Sequence, residues 1–348
     1  MKPLLDVCRL TVELPTEQGW VCPVNDVSLR VGAGECLGLV GESGSGKTML
    51  SLALMGLLPM GARVSGKAWL TGTTHIRGTE EQKQESRNLT VLSDEELREL
   101  RGREIAMIFQ EPMTSLNPVL RVGAQVQEAI RAHYPKMPAA LVRKKTLEAL
   151  GLAAMPEPEE YAKQYPHQLS GGLRQRVMIA MAVAAGLADA PHHKGDAGKD
   201  PLAARLLIAD EPTTALDVTV QKEILQLLQK LRRELGLGLL FITHDLGVVA
   251  QVSDRVAVMY AGRVVEEGPA KEVLRAPRHP YTQGLLAASP KLERGKLAPI
   301  PGSVPKLTAL PPGCAFEPRC GLRRSECRAA VPDLRAANDN HFARCVLV

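Results

Sequence analysis

The stretch Gly41-Glu-Ser-Gly-Ser-Gly-Lys-Thr48 decides how the rest of the chain is interpreted. It fits the pattern G-x-x-x-x-G-K-[ST] and stands between an apolar run at Glu35–Val40 and a helical pattern at Thr48–Leu58. Glycines allow successive backbone N–H groups to turn inward around phosphate oxygens, and the helix that follows adds the positive end of its dipole. This strand–loop–helix context disfavours a chance Gly-rich turn and predicts a phosphate-binding loop.

Every residue of this loop is a candidate contact for a nucleotide. Lys47 is expected to reach the β- and γ-phosphates, and Thr48 to offer its hydroxyl to Mg²⁺. The predicted loop consists of Gly41, Glu42, Ser43, Gly44, Ser45, Gly46, Lys47 and Thr48.

A second apolar run, Leu206–Ala209, ends in the two acidic residues Asp210 and Glu211. A parallel strand would deliver both carboxylates to the edge of the sheet where the phosphate-binding loop lies. Asp210 is suited to hold Mg²⁺, and Glu211 to orient or deprotonate an attacking water molecule. An acidic strand end is common by itself, but next to such a loop it predicts hydrolysis of a nucleoside triphosphate.

Strand-like patterns, such as the apolar alternation at Leu4–Val12 and Val24–Val31, and helix-like patterns, such as Gly123 to about Leu152, alternate along most of the chain. This alternation predicts an α/β fold with a largely parallel sheet. Beyond about Pro277 the sequence becomes rich in Pro and irregular. The net charge of +5 and the 3% aromatic content argue against a dedicated nucleic-acid binder. The longest apolar stretch, Met49–Ala62, is shorter than the roughly 20 residues that cross a bilayer, so we expect a soluble chain.

Further short motifs follow in an order that is typical of one family. Leu169-Ser-Gly-Gly-Leu-Arg-Gln-Arg176 resembles the signature motif of ATP-binding-cassette (ABC) ATPases. It has Leu173 at the position where Gln or Met is more usual. Gln110 matches the family's Q-loop, Ala215-Leu-Asp217 its D-loop, and His244 its switch histidine. Five ordered motifs make coincidence negligible.

The resemblance implies a P-loop ABC ATPase cassette at residues 1–275, with a RecA-like core, a β-subdomain and a helical subdomain at about 111–180. Residues 276–348 would form a small Pro- and Cys-rich C-terminal extension. The gap between the signature and Asp210 is longer than usual, and the polar residues 189–203 are expected to form an inserted loop. Two neighbouring histidines in this stretch would allow metal binding, but an insertion is the favoured interpretation.

The resemblance also implies a head-to-tail dimer in which ATP lies between one phosphate-binding loop and the partner's signature. Gln110 would contact Mg²⁺ and water, and His244 would sense the γ-phosphate. Trp20 is the aromatic residue near the place where the family stacks adenine. The signature and D-loop residues that would act across the dimer are Ser170, Gly171, Gly172 and Asp217.

Several stretches resemble the ATPase subunits of importers for oligopeptides, dipeptides and, in some relatives, nickel. The relevant stretches are Gln110–Pro118, Tyr165–Gly172, Asp210–Thr219, His279–Leu286, Ile300–Gly302 and Pro312–Cys320. In that group the tail helps two ATPase subunits associate. The resemblance implies integral-membrane permease subunits that contact residues of about 111–165, a second ABC ATPase (a sibling or a copy), and an extracytoplasmic substrate-binding protein.

The expected function is therefore ATP hydrolysis that powers import of di- and oligopeptides from the cytoplasmic face of the inner membrane. Import of nickel or another small solute is an alternative. A non-transport ABC ATPase that acts on DNA or the ribosome fits less well, because the chain has one cassette and no sustained heptad pattern. We expect no nucleic-acid partner.

Four of the seven cysteines cluster near the end of the chain: Cys314, Cys320, Cys327 and Cys345. Their spacing has no tight C-x₂₋₄-C pair of the kind that zinc sites usually show, and it differs from the common ferredoxin patterns. Taken by themselves, four thiols of this kind can hold zinc, hold an iron–sulfur cluster, or simply be buried. The resemblance to peptide-importer ATPases implies a [4Fe–4S] cluster with a structural role.

Overall fold

The computed structural model describes residues 2–75, 82–111, 115–188, 205–214, 216–289 and 299–348. The insertion expected at 189–203 lies outside the described residues, as does Ala215 of the expected D-loop. The strands are β1 (Leu5–Thr16), β2 (Gly19–Val31), β3 (Cys36–Val40), β4 (Arg63–His75), β5 (Gln82–Asn88), β6 (Ile105–Ile108), β7 (Leu206–Asp210), β8 (Gly238–Thr243), β9 (Arg255–Tyr260), β10 (Arg263–Pro269), β11 (Arg335–Asn338) and β12 (His341–Ala343).

The helices surround these strands and follow the predicted alternation. They are α1 (Lys47–Met55), α2 (Asp94–Leu100), α3 (Val122–Arg131), α4 (Ala139–Leu152), α5 (Pro158–Tyr161), α6 (Gly171–Ala188), α7 (Val218–Leu235), α8 (Leu246–Val252), α9 (Ala270–Arg275), α10 (Pro280–Ala287) and α11 (Glu326–Ala329). Within the described ranges, none of these helices is long and apolar enough to span a bilayer.

The central sheet has eight strands in the order β11-β12-β10-β9-β3-β8-β7-β6. The five strands from β9 to β6 pair in parallel, and the other three pair antiparallel at one edge. All residues of β3, β6, β7 and β8 are buried, as is usual for parallel strands that are covered on both faces. The prediction of an α/β fold with a largely parallel sheet is confirmed.

A second, antiparallel sheet has the order β2-β1-β4-β5 and was only partly foreseen. Its first two strands were expected from their alternating apolar residues, but β4 and β5 were not. Leu10 and Val27 from this sheet, Leu50 and Leu54 from α1, and Leu39 from β3 belong to one buried cluster. The antiparallel sheet is thereby fixed against the helix that follows the phosphate-binding loop.

The helical region after β6 forms a separate layer. One long helical pattern was expected from Gly123 to Leu152, but α3 ends before Pro135, and Pro138 precedes the first residue of α4. Proline inside a helix removes a backbone donor and clashes with the preceding turn, which explains the break. Helices α3 and α4 both pack on α6.

The C-terminal extension is more ordered than its proline content suggested. Strand β12 pairs with β10 of the cassette, so the extension continues the central sheet. At this junction the buried carboxylate of Glu266 lies 2.7 Å from Nε2 of His341 and accepts backbone hydrogen bonds from Arg278 and His279. The sequence offered no sign of this contact because its partners lie on separate elements.

Candidate nucleotide-binding and catalytic site

The phosphate-binding loop joins the end of β3 to the start of α1, as predicted. Gly46 occupies the position before the first helical residue with φ +103°, a conformation that favours glycine. A Cβ atom at Gly46 would also overlap the carbonyl oxygen of Pro23. The loop therefore needs glycine at this position both for its backbone angle and for close packing.

Lys47 is buried inside the loop. Its Nζ donates hydrogen bonds to the carbonyl oxygens of Gly41 at 2.8 Å and Glu42 at 3.0 Å, and to Oγ of Ser45 at 3.3 Å. Burial lowers the pKa of Lys47, and the nearby Glu211 and Asp210 oppose that shift. The ammonium group is thus held among dipoles in a position from which it can meet the charge of a phosphate.

Asp210 ends strand β7 and is 1% exposed. A hydrogen bond links it to Thr48, while its Oδ1 atom has no hydrogen-bond partner. Burial raises the pKa of Asp210. A buried carboxylate oxygen without a partner is costly, and a divalent cation with oxygen ligands would remove that cost. Thr48 and Asp210 therefore suit Mg²⁺, and their role as its ligands stays a prediction.

Glu211 lies at the centre of a hydrogen-bonded group. Its Oε2 accepts from Nε2 of Gln110 at 3.1 Å and from the hydroxyl of Thr214 at 2.9 Å, and its Oε1 lies 3.2 Å from Nδ1 of His244. The hydrogen bond with His244 lowers the pKa of Glu211 and raises the pKa of His244. Glu211 also has φ +46°, an unusual conformation for a residue with a side chain. Two predicted site residues, Gln110 and His244, thus meet the carboxylate of a third, Glu211.

A cavity of about 610 Å³ lies in front of this group. The phosphate-binding loop forms one wall, Gln110, Glu211 and His244 form another, and the C-terminal extension forms a third. The lining residues are Gly41, Glu42, Ser43, Gln110, Glu211, His244, Leu285, Ala288, Pro299 and Ile300. Lining by the extension was not foreseen.

The signature and D-loop residues serve local roles in the single chain. Oγ of Ser170 accepts a hydrogen bond from the backbone of Leu173 at 3.4 Å, and α6 begins at Gly171, followed by Gly172. Asp217 caps α7. Among the described residues that line the cavity, none comes from this region. Their expected contact with a nucleotide across a dimer stays a prediction.

Trp20 is the second residue of β2, where it pairs with Pro15 of β1, and it is 45% exposed. The guanidinium carbon of Arg63 lies 3.9 Å from the centre of its ring. The indole face therefore already has a cationic partner, and its expected stacking on adenine stays a prediction.

Two contacts of the site were missed from the sequence. Thr214 stands within the quoted Asp210–Thr219 stretch, but nothing in that stretch indicated a hydrogen bond to Glu211. Arg319 pairs with Glu42 although the two residues are 277 positions apart. Arg319 belongs to the quoted Pro312–Cys320 stretch, which could have marked it for attention but not identified its partner.

The four clustered cysteines line one small cavity in the extension. The backbone N–H of Cys314 donates to the carbonyl oxygen of Cys327 at 2.7 Å, which holds two of their segments together. Burial raises the pKa of Cys314, Cys320 and Cys345, and a backbone hydrogen bond to each sulfur opposes that shift in part. In the parts of the chain that the structure describes, no group of three or more His, Cys, Asp or Glu side chains is arranged to hold one metal ion.

Two protein families match the chain in sequence. The ABC transporter family matches residues 24–187, and the family described as "Oligopeptide/dipeptide transporter, C-terminal region" matches residues 265–327. The oligopeptide transport ATP-binding protein OppD of Haemophilus influenzae is 44% identical over 351 residues, which cover 100% of this chain and 98% of that protein. The dipeptide transport ATP-binding protein DppD of Bacillus subtilis is 44% identical over 350 residues, covering 100% of this chain and 95% of that protein.

A solved structure of the ATP-binding cassette MJ0796, in a dimeric post-hydrolysis state bound to ADP and Pi, has a TM-score of 0.59 and 28% identity to this chain. The match covers 76% of this chain and 98% of that cassette, which confirms the predicted ABC cassette fold. The similarity to the two transport proteins extends over the whole chain, including the C-terminal region. The chain therefore belongs to the ATP-binding subunits of the ABC transporter family, within its oligopeptide/dipeptide branch.

Proposed function

We propose that this chain hydrolyses ATP to power the import of di- and oligopeptides. The observation that carries the chemistry is the carboxylate of Glu211, held by three neighbours at the wall of a cavity that the phosphate-binding loop also lines. The transported class follows the names of the relatives, which are oligopeptide and dipeptide transport proteins. Nickel or another small solute is the alternative cargo.

The residues divide the work of hydrolysis between them. The loop and Lys47 bind the phosphates, while Thr48 and Asp210 hold Mg²⁺, and when bound that ion neutralises charge that develops on the phosphate oxygens. Glu211 accepts the proton of the attacking water through a carboxylate oxygen. The lowered pKa of Glu211 keeps it ionised, and a γ-phosphate that competes for His244 would raise that pKa and strengthen the base.

A second cassette completes the site. Ser170, Gly171 and Gly172 lie at the start of α6, where backbone N–H groups suit an anion, yet they do not line the cavity of their own chain. The solved structure of the cassette MJ0796 is dimeric. We therefore assign the signature to the partner's nucleotide, with Asp217 between the two sites, and the partner is a sibling ATPase or a copy.

An apolar groove offers a place for a permease helix. Its volume is about 470 Å³, and it is lined by Met55, Leu57, Arg101, Gly102, Ala106, Met107, Phe109, Ser115, Ala129, Met178, Met181 and Ala182. Flexible Met side chains adapt to the apolar face of a docked helix. Phe109 is 40% exposed and precedes Gln110, so a helix bound here would contact the immediate neighbour of a residue that bonds to Glu211. The region expected to contact the permease, 111–165, contributes two of the lining residues, Ser115 and Ala129.

The remaining parts of the proposal follow from this assembly. The subunit works at the cytoplasmic face of the inner membrane, a substrate-binding protein delivers the peptide from outside, and no nucleic acid takes part. We also propose, from the resemblance to peptide-importer ATPases, that the four cysteines hold a [4Fe–4S] cluster; among the described residues they line one cavity but are not arranged to hold a metal ion. Iron, sulfide and zinc analysis of protein purified without oxygen tests this, and zinc alone or no metal would contradict it.

The function is tested with a tagged Glu211→Gln protein. We expect the variant to bind ATP, to hydrolyse it at least 100-fold more slowly, and to retain permease subunits and a second ATPase when purified from solubilised membranes. Glu234→Gln, a surface change on α7, is the matched control and should behave like the unchanged protein. Normal hydrolysis by Glu211→Gln would remove the proposed base. Recovery of ribosomal proteins or DNA in place of a permease would overturn the transport function.

A further inference from the structure

The C-terminal extension reaches the phosphate-binding loop through a two-point ion pair. Nη1 of Arg319 lies 2.7 Å from Oε2 of Glu42, and Nη2 lies 3.1 Å from Oε1. The Arg319 side chain is 5% exposed and that of Glu42 is 30% exposed. A parallel arrangement of two N–H···O bonds is the strongest and most directional contact that a guanidinium makes with a carboxylate.

Arg319 is itself held from several sides. Its Nε donates to the carbonyl oxygen of Pro301 at 2.9 Å, and Nη1 also donates to the hydroxyl of Tyr260 at 3.3 Å. The rings of Tyr260 and Phe316 each lie 5.9 Å from the guanidinium carbon. The guanidinium therefore has a fixed position, and it fixes the carboxylate that it binds.

A second contact from the extension holds the backbone at the same place. The N–H of Glu42 donates to the hydroxyl of Tyr281 on α10 at 2.8 Å. The ring of Tyr281 packs 4.5 Å from that of Tyr260, centre to centre. Both the main chain and the side chain of Glu42 are thus restrained by residues outside the loop.

The charge of Glu42 makes this restraint relevant to nucleotide binding. Glu42 lines the same cavity as Glu211 and His244, and its charge acts on Lys47. A polyphosphate that enters this cavity meets a carboxylate of the same sign, and the repulsion is strong at short range in a partly buried site. A cation that pairs with Glu42 removes most of that repulsion.

We propose that Arg319 is a positioning residue for ATP: by pairing with Glu42 it holds that carboxylate in place and neutralises its charge, so that the phosphate-binding loop accepts the triphosphate. This inference rests on the proposed function as an ATP-hydrolysing subunit. It assigns to the C-terminal extension a role at the nucleotide site of its own chain. If the ion pair only fixed the extension to the cassette, replacing Arg319 would leave the affinity for ATP unchanged.

The test measures ATP binding by calorimetry without Mg²⁺, so that no turnover occurs, and KM and kcat for ATP in the assembled complex. Arg319→Gln should raise Kd and KM about tenfold, because Glu42 is left uncompensated, while kcat stays within about twofold. Arg319→Lys should have Kd and KM values between those of the unchanged protein and those of Arg319→Gln, because an ammonium keeps the charge but cannot span both oxygens. Glu42→Gln in the Arg319→Gln protein should restore Kd to within about threefold of the unchanged protein, because the repelling charge is gone.

Arg328→Gln is the matched control, since Arg328 pairs with Glu317 in the same extension through a side chain that is 69% exposed. It should leave Kd unchanged. Unchanged Kd in Arg319→Gln and Arg319→Lys, or a loss of affinity that Glu42→Gln does not relieve, would overturn the inference. Thermal unfolding of each variant shows whether the fold is kept. If Arg319→Gln is unstable, the Kd values of Arg319→Lys and of the double variant are compared with that of the unchanged protein instead. An unchanged protein that binds ATP but never hydrolyses it would contradict the proposed function and not this inference.

Discussion

The junction between cassette and extension makes a quantitative prediction about stability. Glu266 of β10 is 0% exposed and His341 of β12 is 1% exposed. Their contact joins the two strands beside the backbone pairing of β12 with β10. Replacing His341 by Ala removes one of three donors to a buried carboxylate and leaves an empty space where the ring lay. A buried charge or dipole that loses its partner costs about 3 kcal/mol.

This cost converts to a measurable shift in melting temperature. Unfolding entropy is about 2.1 cal/mol/K per residue near 60 °C, so the 348-residue chain has about 0.7 kcal/mol/K, and a loss of about 3 kcal/mol lowers Tm by about 4 °C. Circular dichroism of the unchanged protein and of His341→Ala measures the shift. Limited proteolysis should also cut the variant faster within the extension, because the edge strands open more often.

The exposed His167 offers a matched control for the loss of an imidazole. His167→Ala should leave Tm within about 1 °C, because surface substitutions change stability little. Glu266→Gln keeps the volume, but the backbone donors of Arg278 and His279 bond to different oxygens, so the amide N–H₂ must face one of them and the substitution should also lower Tm. Equal melting temperatures for His341→Ala and His167→Ala would refute the conclusion that this buried contact secures the extension.

Three further predictions concern catalysis and assembly. His244→Ala removes the main cause of the lowered pKa of Glu211, so that pKa should rise. The acid limb of the residual kcat–pH profile should then move to higher pH. An acid limb at unchanged pH would show that His244 does not set the pKa of Glu211. Thr214→Val removes a 2.9 Å hydrogen bond to Glu211 and should lower kcat about three- to tenfold in steady-state assays while KM holds; an unchanged kcat would contradict its role. Met181→Glu places a charge in the apolar groove and should abolish co-purification of the permease while nucleotide affinity of the isolated chain is kept; retained permease would place the docking site elsewhere.

Much of the site could be predicted because its residues act through short, contiguous patterns. A glycine-rich loop followed by Lys47 needs only its own backbone and the adjoining strand and helix, all of which are encoded locally. Likewise, Asp210 ends a fully buried strand and Glu211 follows it, and parallel strands that share one sheet bring their carboxyl ends together. Gln110 and His244 follow the same rule, and the structure brings both to Glu211.

Other features depend on side-chain contacts between distant segments and left no pattern to detect. The β-strands of the extension were missed because prolines and short lengths hide their periodicity. The hydroxyl of Thr214 was missed because a threonine after an acidic pair has many possible partners. The break between α3 and α4 was visible in Pro138 but was outweighed by the helical pattern on either side.

The sequence by itself determined the cassette fold, the loop that receives phosphates and the acidic strand end, since each of these is written in adjacent residues and in the order of motifs. Only the tertiary structure decided that Arg319 holds Glu42, that Tyr281 holds the backbone beside it, and that the extension lines the nucleotide cavity. The physical reason is that a pair separated by 277 positions forms only when the extension packs beside Tyr260 and the phosphate-binding loop, and a linear pattern carries no record of that packing.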